Sequence, residues 1–439
     1  MEQDSILEHS LAQFPDRRVT VIGDIMLDHY TFGDVERVSP EAPIAVLNKT
    51  SERSALGGAA NVAANVAALG ANVVLCGVIG TDYHGTILVD LLRKQGIDYE
   101  GIVAADGRPT TFKHRFVYGT HHQLLRVDEE EAGPVHPLVE KVLLEKIVNA
   151  IERSEIVILS DYAKGLFTKS LTEKIITSAK ASGKKVLADI KPKHKELFIG
   201  VDLVSPNLKE GREMSGAEDV EAVGAALVGY FKSDVMLTRS ENGISVFTRG
   251  GAHHHVPGRK IKVADVSGAG DTSIAVTALG IAAGLGIADA AELANAAGAV
   301  VVQKPGTALL SIEELSSAIR FRNNMESTEI VPKLWGYEKW IENNDNYCSK
   351  LLSLNKGYQC SLHYHKVKDE TFIVTKGHVR LEVEDKVYHL QEGGFMRIPP
   401  GTKHRFTGIE DSLIIEVSTH HEDSDSYRIE ESRKAELPL

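Results

Sequence analysis

The sequence predicts an α/β unit, a parallel sheet sandwiched by helices and topped by a β lid, followed by a small all-β unit of barrel or jelly-roll type. Two patterns and the chain length predict it. Between residues 19 and 205, short runs rich in Val, Ile and Leu alternate with helical stretches, which is how a parallel sheet covered on both faces reads. After Val331 the period shortens to two, with Gly377, Gly393, Gly394 and Gly401 at the corners between strands. The 439 residues exceed what one hydrophobic core usually holds. Residues 1–320 are therefore expected to form the first unit, 321–334 a linker and 335–439 the second.

Composition narrows the class. Apolar content of 43% and charged content of 25% are those of a globular protein. The net charge of −12 argues against a nucleic-acid or anionic-membrane surface, which needs clustered Lys and Arg. Cys76, Cys348 and Cys360 are odd in number and scattered, as in a reducing compartment. The N-terminus lacks the basic start and apolar core of a secretory signal. The longest apolar run, 274–288, is shorter than the roughly 20 residues a spanning helix needs. A cytoplasmic protein with no membrane and no nucleic-acid partner is expected.

In chain order, a polar lead-in precedes a buried strand at 19–24 that ends in Gly23-Asp24. Strand ends of this kind face the ligand crevice of a parallel sheet, where Asp24 can hold sugar hydroxyls or simply form the turn. Residues 28–51 alternate polar and apolar around Pro40 and Pro43, as exposed lid strands do. Gly57 and Gly58 lead a small-residue helix closed by Gly70; they permit close approach of a ligand, and Asn61 offers a donor and an acceptor to a polyol. Close helix packing accounts for the alanines equally well. A strand at 73–80 and a helix at 85–94 follow. The alternating segment 110–128, with Lys113, His114, Arg115, His121, His122 and Arg126, reads as a second lid pair bringing cations to a substrate phosphate, or as a solvated hairpin.

Strands at 156–161, 185–189 and 203–205, with helices between, place polar residues at successive carboxyl ends. These are Asp161 and Lys164, Asp189 and Lys191, then Asn207 and Glu210. Asn207, Leu208, Lys209 and Glu210 can orient water around Mg2+, or Asn207 can cap the next helix. A strand at 235–238 runs into a turn closed by Gly243, where Thr238 and the backbone can touch nucleotide phosphates. His253, His254 and His255 lie in a polar loop and are read as surface histidines. The small-residue helix from Asn295 is expected to line an adenine pocket.

The stretch Asp265-Val266-Ser267-Gly268-Ala269-Gly270-Asp271 leads directly into an apolar, Ala-rich helix. Gly268, Ala269 and Gly270 then sit on its N-terminal turn, where free N–H groups and the positive end of the dipole suit an anion such as a transferring phosphate. Asp271 would stand beside that anion as a carboxylate able to accept a hydroxyl proton. An N-capped core helix with an acidic first turn is the plainer reading.

Together, Gly57-Gly58-Ala59-Ala60-Asn61 and the 265–271 stretch resemble the two signatures of the ribokinase/PfkB sugar kinases. Gly23-Asp24-Ile25-Met26-Leu27-Asp28-His29-Tyr30, Val38-Ser39-Pro40-Glu41-Ala42-Pro43 and Ser160-Asp161-Tyr162-Ala163-Lys164-Gly165 resemble the D-glycero-β-D-manno-heptose-7-phosphate kinases within that family. The resemblance covers about residues 18–315. It implies a ribokinase-like fold, ATP and Mg2+ as cofactors, and phosphorylation of the anomeric hydroxyl of a heptose 7-phosphate on the route to nucleotide-activated heptose. It implies Asp271 as catalytic base and the Gly268–Gly270 turn as anion hole. The 207–210 segment would serve ATP and Mg2+, joined by Thr238, Gly243 and Asn295. Asp24, Gly57, Gly58, Asn61, Arg126, Asp161 and Lys164 are expected around the phosphosugar, and exposed lid strands imply a homodimer. Bifunctional heptose kinases continue into a nucleotidyltransferase domain, but no HxGH-like motif follows residue 320.

In the second unit, His363 and His365 alternate onto one face of a strand, and Glu370 and His404 can join them from two others. Three imidazoles and a carboxylate suit Zn2+, Mn2+, Fe2+ or Ni2+. The spacing from Gly357 through His363, His365 and Glu370 to Gly377, then from Gly393 through Pro399 and Gly401 to His404, is similar to the two cupin motifs. Gly408 stands where the last Asn is usual. Trp335-Gly336-Tyr337 and Ser361-Leu362-His363 further resemble the cupin of mannose-6-phosphate isomerases, in which a Gln often replaces His363. That resemblance implies either a metal-dependent sugar-phosphate isomerase or a sugar-phosphate binding module.

Overall fold

Burial in the first unit follows the sheet. In the computed structural model, which describes residues 2–119, 122–259, 261, 263–304, 306–320 and 330–435, the chain divides into Met1–Phe321 and Arg322–Leu439. Chain order in the first unit begins with α1 (Glu2–Leu11), β1 (Arg18–Gly23), β2 (Ile25–Val38), β3 (Ala45–Gly58), α2 (Ala59–Ala68), β4 (Asn72–Gly80), α3 (Tyr83–Lys94) and β5 (Asp98–Ala105). It continues through β6 (Thr111–Tyr118), β7 (His122–Glu129), α4 (Pro137–Glu152), β8 (Ile156–Ser160), α5 (Lys169–Ala181), β9 (Lys185–Asp189), β10 (Leu203–Val204), α6 (Leu208–Ser215) and α7 (Val220–Phe231). It closes with β11 (Asp234–Thr238), β12 (Ile244–Phe247), β13 (His253–Val256), α8 (Ala269–Ala282), α9 (Ile287–Val301) and α10 (Ile312–Arg320).

The main sheet runs β13-β12-β11-β10-β9-β8-β1-β4-β5 and is parallel except for the β12–β13 edge. β8 is buried at every position, as the continuous apolar run requires of a strand covered on both faces. Two apolar cores form, one around α2, α8 and α9 and one around α4, α5 and α7. A separate sheet, β3-β2-β6-β7, is the lid expected from the alternating segments. Gly23, Ser160 and Asp189 are register partners at the carboxyl ends of β1, β8 and β9, so the residues that follow them share one edge of the sheet.

The structure corrects several local expectations. The polar lead-in is a helix, α1. The helix expected between β9 and β10 is a short 3-10 turn, Pro192–Phe198. His253–His255 lie on the edge strand β13 rather than in a loop, and all three are exposed. α10 starts at Ile312, and residues 321–329 of the expected linker lie outside the described residues.

The second unit contains β14 (Ile330–Lys333), β15 (Gly336–Asn343), β16 (Cys348–Leu354), β17 (Tyr358–Gln359), β18 (Leu362–Tyr364), β19 (Glu370–Lys376), β20 (His378–Val383), β21 (Lys386–Gln391), β22 (Phe395–Ile398), β23 (His404–Gly408), β24 (Ser412–Ser418), β25 (Tyr427–Glu430) and β26 (Arg433–Lys434). β14 pairs with β15, so residues 330–333 of the expected linker belong to this unit. One sheet runs β14-β15-β16-β24-β19-β22; the other runs β21-β20-β23-β17-β26, with β18 and β25 joined to it. Burial alternates along β16 and β24, the signature of strands with one face turned inward.

Candidate active site and metal centre

α8 is buried along the stretch from Asp271 to Gly280, so its N-terminal turn is anchored while the amides ahead of it stay open. Gly268 caps it at φ 80°, a left-handed conformation that glycine enters without a Cβ penalty. A Cβ there would also come within 2.9 Å of the Asn61 amide nitrogen. The N–H groups of Gly270 and Asp271 make no hydrogen bond within the described residues, which leaves donors for an anion.

Asp271 is held from both sides. Asn61 Nδ2 donates to Oδ2 at 2.7 Å and the Tyr162 hydroxyl donates to Oδ1 at 2.7 Å. Burial pushes the Asp271 carboxyl up to about 6, while the bonds from Asn61 and Tyr162 pull the other way. A carboxylate tuned there can both hold and release a proton near neutrality. Burial, opposed by Lys191 and reinforced by Asp271 and Glu210, pushes nearby Asp189 up to about 8. Lys191 pairs with Glu210 at 2.6 Å.

Several residues expected at the substrate act on the chain itself. Asp24 accepts from the amides of Tyr162 and Lys164, at 2.9 and 3.0 Å, and thereby fixes the loop that carries Tyr162. Asp161 accepts from the amides of Ala163 and Lys191 and contacts His194. Gly57 and Gly58 leave no room for a Cβ against Asp28 and Asp24, so chain packing alone requires them. The Lys164 ammonium pairs with Glu130 at 2.6 Å, and Arg126 pairs with Asp128 on the exposed strand β7. Arg115 is bound to Asp28. His114 contacts Thr31, and burial lowers its pKa, so it is no cation at neutral pH. His121 lies outside the described residues. Lys113 remains: half-buried, with no ion pair among the described residues, its ammonium 5.7 Å from the centre of the Tyr162 ring.

On the nucleotide side, Asn207 and Glu210 form a reciprocal capping box at the start of α6, with Leu208 and Lys209 in the first turn. Thr238 is bridged to Asn207 and donates its amide to Pro206. Gly243 has φ 79°, and a Cβ would meet the Val256 carbonyl at 2.1 Å, so this glycine serves the close turn itself. Asn295 ties α9 to the Pro257 carbonyl.

Residues 16–315 match the pfkB family carbohydrate kinase pattern. The chain belongs to the pfkB family of carbohydrate kinases. Bifunctional protein HldE of Caulobacter vibrioides is 40% identical over 322 residues, covering 72% of this chain and 66% of that protein. The protein of the same name from Mesorhizobium japonicum is 41% identical over 324 residues, 72% of this chain and 65% of its own length. The chain thus spans slightly less than two thirds of these curated relatives. Ribokinase of Arabidopsis thaliana, complexed with ribose and ATP, superposes with a TM-score of 0.57 at 20% identity, over 70% of this chain and 99% of its own. Phosphofructokinase-2 of Escherichia coli gives 0.58 at 18% identity over 70% and 99%. At such identities the likeness is one of fold. The pfkB unit is an ATP-dependent carbohydrate kinase, and ATP with Mg2+ fits its open helix N-terminus and the adjacent Glu210. Tyr162 lies in the 160–165 segment, where only its neighbours Asp161 and Lys164 stand out by charge.

Residues 350–417 match the cupin domain pattern, so a cupin is fused to the pfkB unit. His363 and His404 are cross-strand partners, His365 follows β18, and Glu370 opens β19. The ring nitrogens of His363, His365 and His404 lie within 4.8 Å of one another. Each Nδ1 faces a backbone carbonyl, of Ser361, Asp425 and Thr402 respectively, at 2.9, 2.8 and 3.1 Å. A carbonyl only accepts, so each Nδ1 carries the proton and each Nε2 keeps its lone pair. Burial lowers the pKa of all three and holds His363 down to about 4, so the rings are neutral. His404 Nε2 and Glu370 Oε2, 3.3 Å apart, are both buried acceptors without a donor among the described residues. Two acceptors facing each other are satisfied by a shared cation, and the donor set fits a divalent metal. Lys368, between Glu370 and Glu416, holds the other Glu370 oxygen at 2.7 Å. This lysine carried no motif signal.

Proposed function

We propose that the pfkB unit transfers the terminal phosphoryl group of ATP to the anomeric hydroxyl of D-glycero-D-manno-heptose 7-phosphate. The product is the 1,7-bisphosphate, a precursor of nucleotide-activated heptose and so of lipopolysaccharide. The observation that carries the phosphoryl-transfer step is the buried Asp271 carboxylate beside the open amides of Gly270 and Asp271. Asp271 takes the hydroxyl proton as the sugar oxygen bonds to the γ-phosphorus and the bond to ADP breaks; the amides stabilise the developing charge, and Mg2+, when bound, would add to that stabilisation. Lys113, half-buried over Tyr162 and without an ion pair among the described residues, supports a substrate that already bears a phosphate. The relatives named HldE and the heptose-kinase motifs support the choice of sugar.

The cupin, in this reading, holds a divalent metal on His363, His365, Glu370 and His404 and isomerises a sugar phosphate that feeds the kinase. The alternative is a different pfkB activity, on another sugar or a nucleoside, with a cupin that binds sugar without turning it over. A cytoplasmic homodimer completes the reading; Leu124, Leu125 and Val127, exposed on β7, supply apolar area for a partner copy. A coupled ADP-release assay over heptose 7-phosphates, hexose phosphates, free sugars and nucleosides tests the substrate. Heptose 7-phosphate is expected to give the highest kcat/KM, and preference for an unphosphorylated acceptor refutes the proposal. Asp271→Asn is expected to lower turnover by about 100- to 10,000-fold with the fold intact.

A further inference from the structure

Three neighbouring strands of the cupin place His404, His363 and Arg428 in one row. His363 pairs with His404 of β23 on one side and with Arg428 of β25 on the other, the second register being set by a bulge between Leu362 and His363. Directly paired residues send their side chains to the same face, with Cβ atoms about 5 Å apart. All three line a single cavity of about 400 Å3, within the size range of small-molecule sites.

The other lysines on that lining are already matched by carboxylates. Lys333 and Lys350 lie 3.4 and 4.0 Å from Glu338, and Lys368 bridges Glu370 and Glu416. The side chain of Arg428, an exposed residue on the cavity lining, has no ion pair or hydrogen bond among the described residues. With neutral histidines and lysines balanced by glutamates, a divalent ion and Arg428 leave the cavity strongly positive. Ser426 and Ser432 add hydroxyls to the lining. A planar guanidinium with hydroxyl donors near it suits a tetrahedral, multiply accepting dianion.

We propose that Arg428 anchors the phosphate of a phosphorylated sugar or polyol whose oxygen-bearing end faces the cupin metal. The inference rests on the metal-binding reading above and assigns the end of the ligand that the metal does not hold. It accounts for a free guanidinium placed one strand away from a metal ligand.

The test uses the full chain loaded with Co2+ and no ATP, reading the visible absorption of the cobalt so that sugar bound at the kinase unit is silent. Mannose 6-phosphate, mannose, gluconate and inorganic phosphate are titrated. Mannose 6-phosphate is expected to perturb the spectrum at lower concentration than mannose or gluconate, with inorganic phosphate competing. Arg428→Gln is expected to keep its cobalt and weaken mannose 6-phosphate about tenfold or more, leaving mannose unchanged, and Arg428→Lys is expected to recover part of the loss. Unchanged mannose 6-phosphate affinity in cobalt-loaded Arg428→Gln overturns the proposal, as does tighter binding of gluconate. A wild-type chain that takes up no Co2+ overturns the metal reading instead, and the anchor falls with it.

Discussion

Tyr162→Phe removes one hydroxyl from the active site and should move the acid limb of the kinase pH profile upward. As the proposed base, Asp271 works only when ionised, so kcat/KM is expected to rise with pH through its pKa of about 6. The phenol of Tyr162 is buried and its pKa is raised well above the usual tyrosine value, so it donates at every working pH. A hydrogen bond to a charged group contributes about 1.5–3 kcal/mol, and one pH unit corresponds to about 1.4 kcal/mol. Because a protonated Asp271 can still accept from the phenol, the differential is nearer the lower figure, or about one unit. Asn61 continues to donate to Oδ2, Lys191 still favours the ionised form and Asp28 still opposes it, so no other partner of the carboxylate changes. At pH 6 the ionised fraction should fall about fivefold, and at pH 8 by less than about a tenth. Initial rates of ADP release at low sugar concentration, from pH 5 to 9, measure the shift. A profile lowered equally at all pH values, with its acid limb unmoved, would falsify the reasoning that Tyr162 tunes the base.

Three other outcomes follow from the same geometry. Gly268→Ala forces a Cβ against Asn61 and a strained φ of 80°, so it should cost about 1–2 kcal/mol of stability and more in turnover than Asn61→Ala, read from melts and initial rates. His404→Ala should lose metal by elemental analysis. Chelation should lower the cupin melting temperature of the wild type but not of this variant; equal metal content in the two would remove the metal centre. Asp189→Asn should stabilise the chain increasingly as pH rises. In the unfolded chain Asp189 ionises near its ordinary value, whereas folded Asp189 keeps its proton to about 8, so the wild type loses stability between these two values and the variant does not. Melting temperatures whose difference is the same at pH 4.5 and pH 8 would contradict this.

What the sequence makes legible is whatever depends on local period or on donor type. The parallel strands, the lid segments and the inward alternation of β16 and β24 all follow from which positions are apolar. His363, His365, Glu370 and His404 are legible because imidazole and carboxylate at strand spacing have few other uses in a barrel. Residues whose partners come from distant segments are not legible in this way. Asp24 sits at a strand end where a ligand carboxylate would, yet its oxygens are taken by amides some 140 positions further along the chain. Arg126 and Lys164 look like substrate cations until Asp128 and Glu130 are seen beside them.

The same blindness hides the side chains to which the proposals assign a role and which carry no ordinary signal. Tyr162 reads as a filler between two charged residues, and only the approach of α8 to the loop after β8 turns its hydroxyl into a partner of Asp271. Lys113 is one of several lid cations in the sequence. What separates it is negative, the lack of a carboxylate among the described residues while Arg115 and Arg126 each have one. Arg428 is singled out by the same subtraction in the cupin. Lys113 and Arg428 stand beside reactive groups without a carboxylate partner among the described residues, and an anionic ligand would complete the balance there. Charge-neutral replacement of Lys113 should therefore raise KM for a phosphorylated sugar while barely changing kcat, a split that a merely structural lysine would not give.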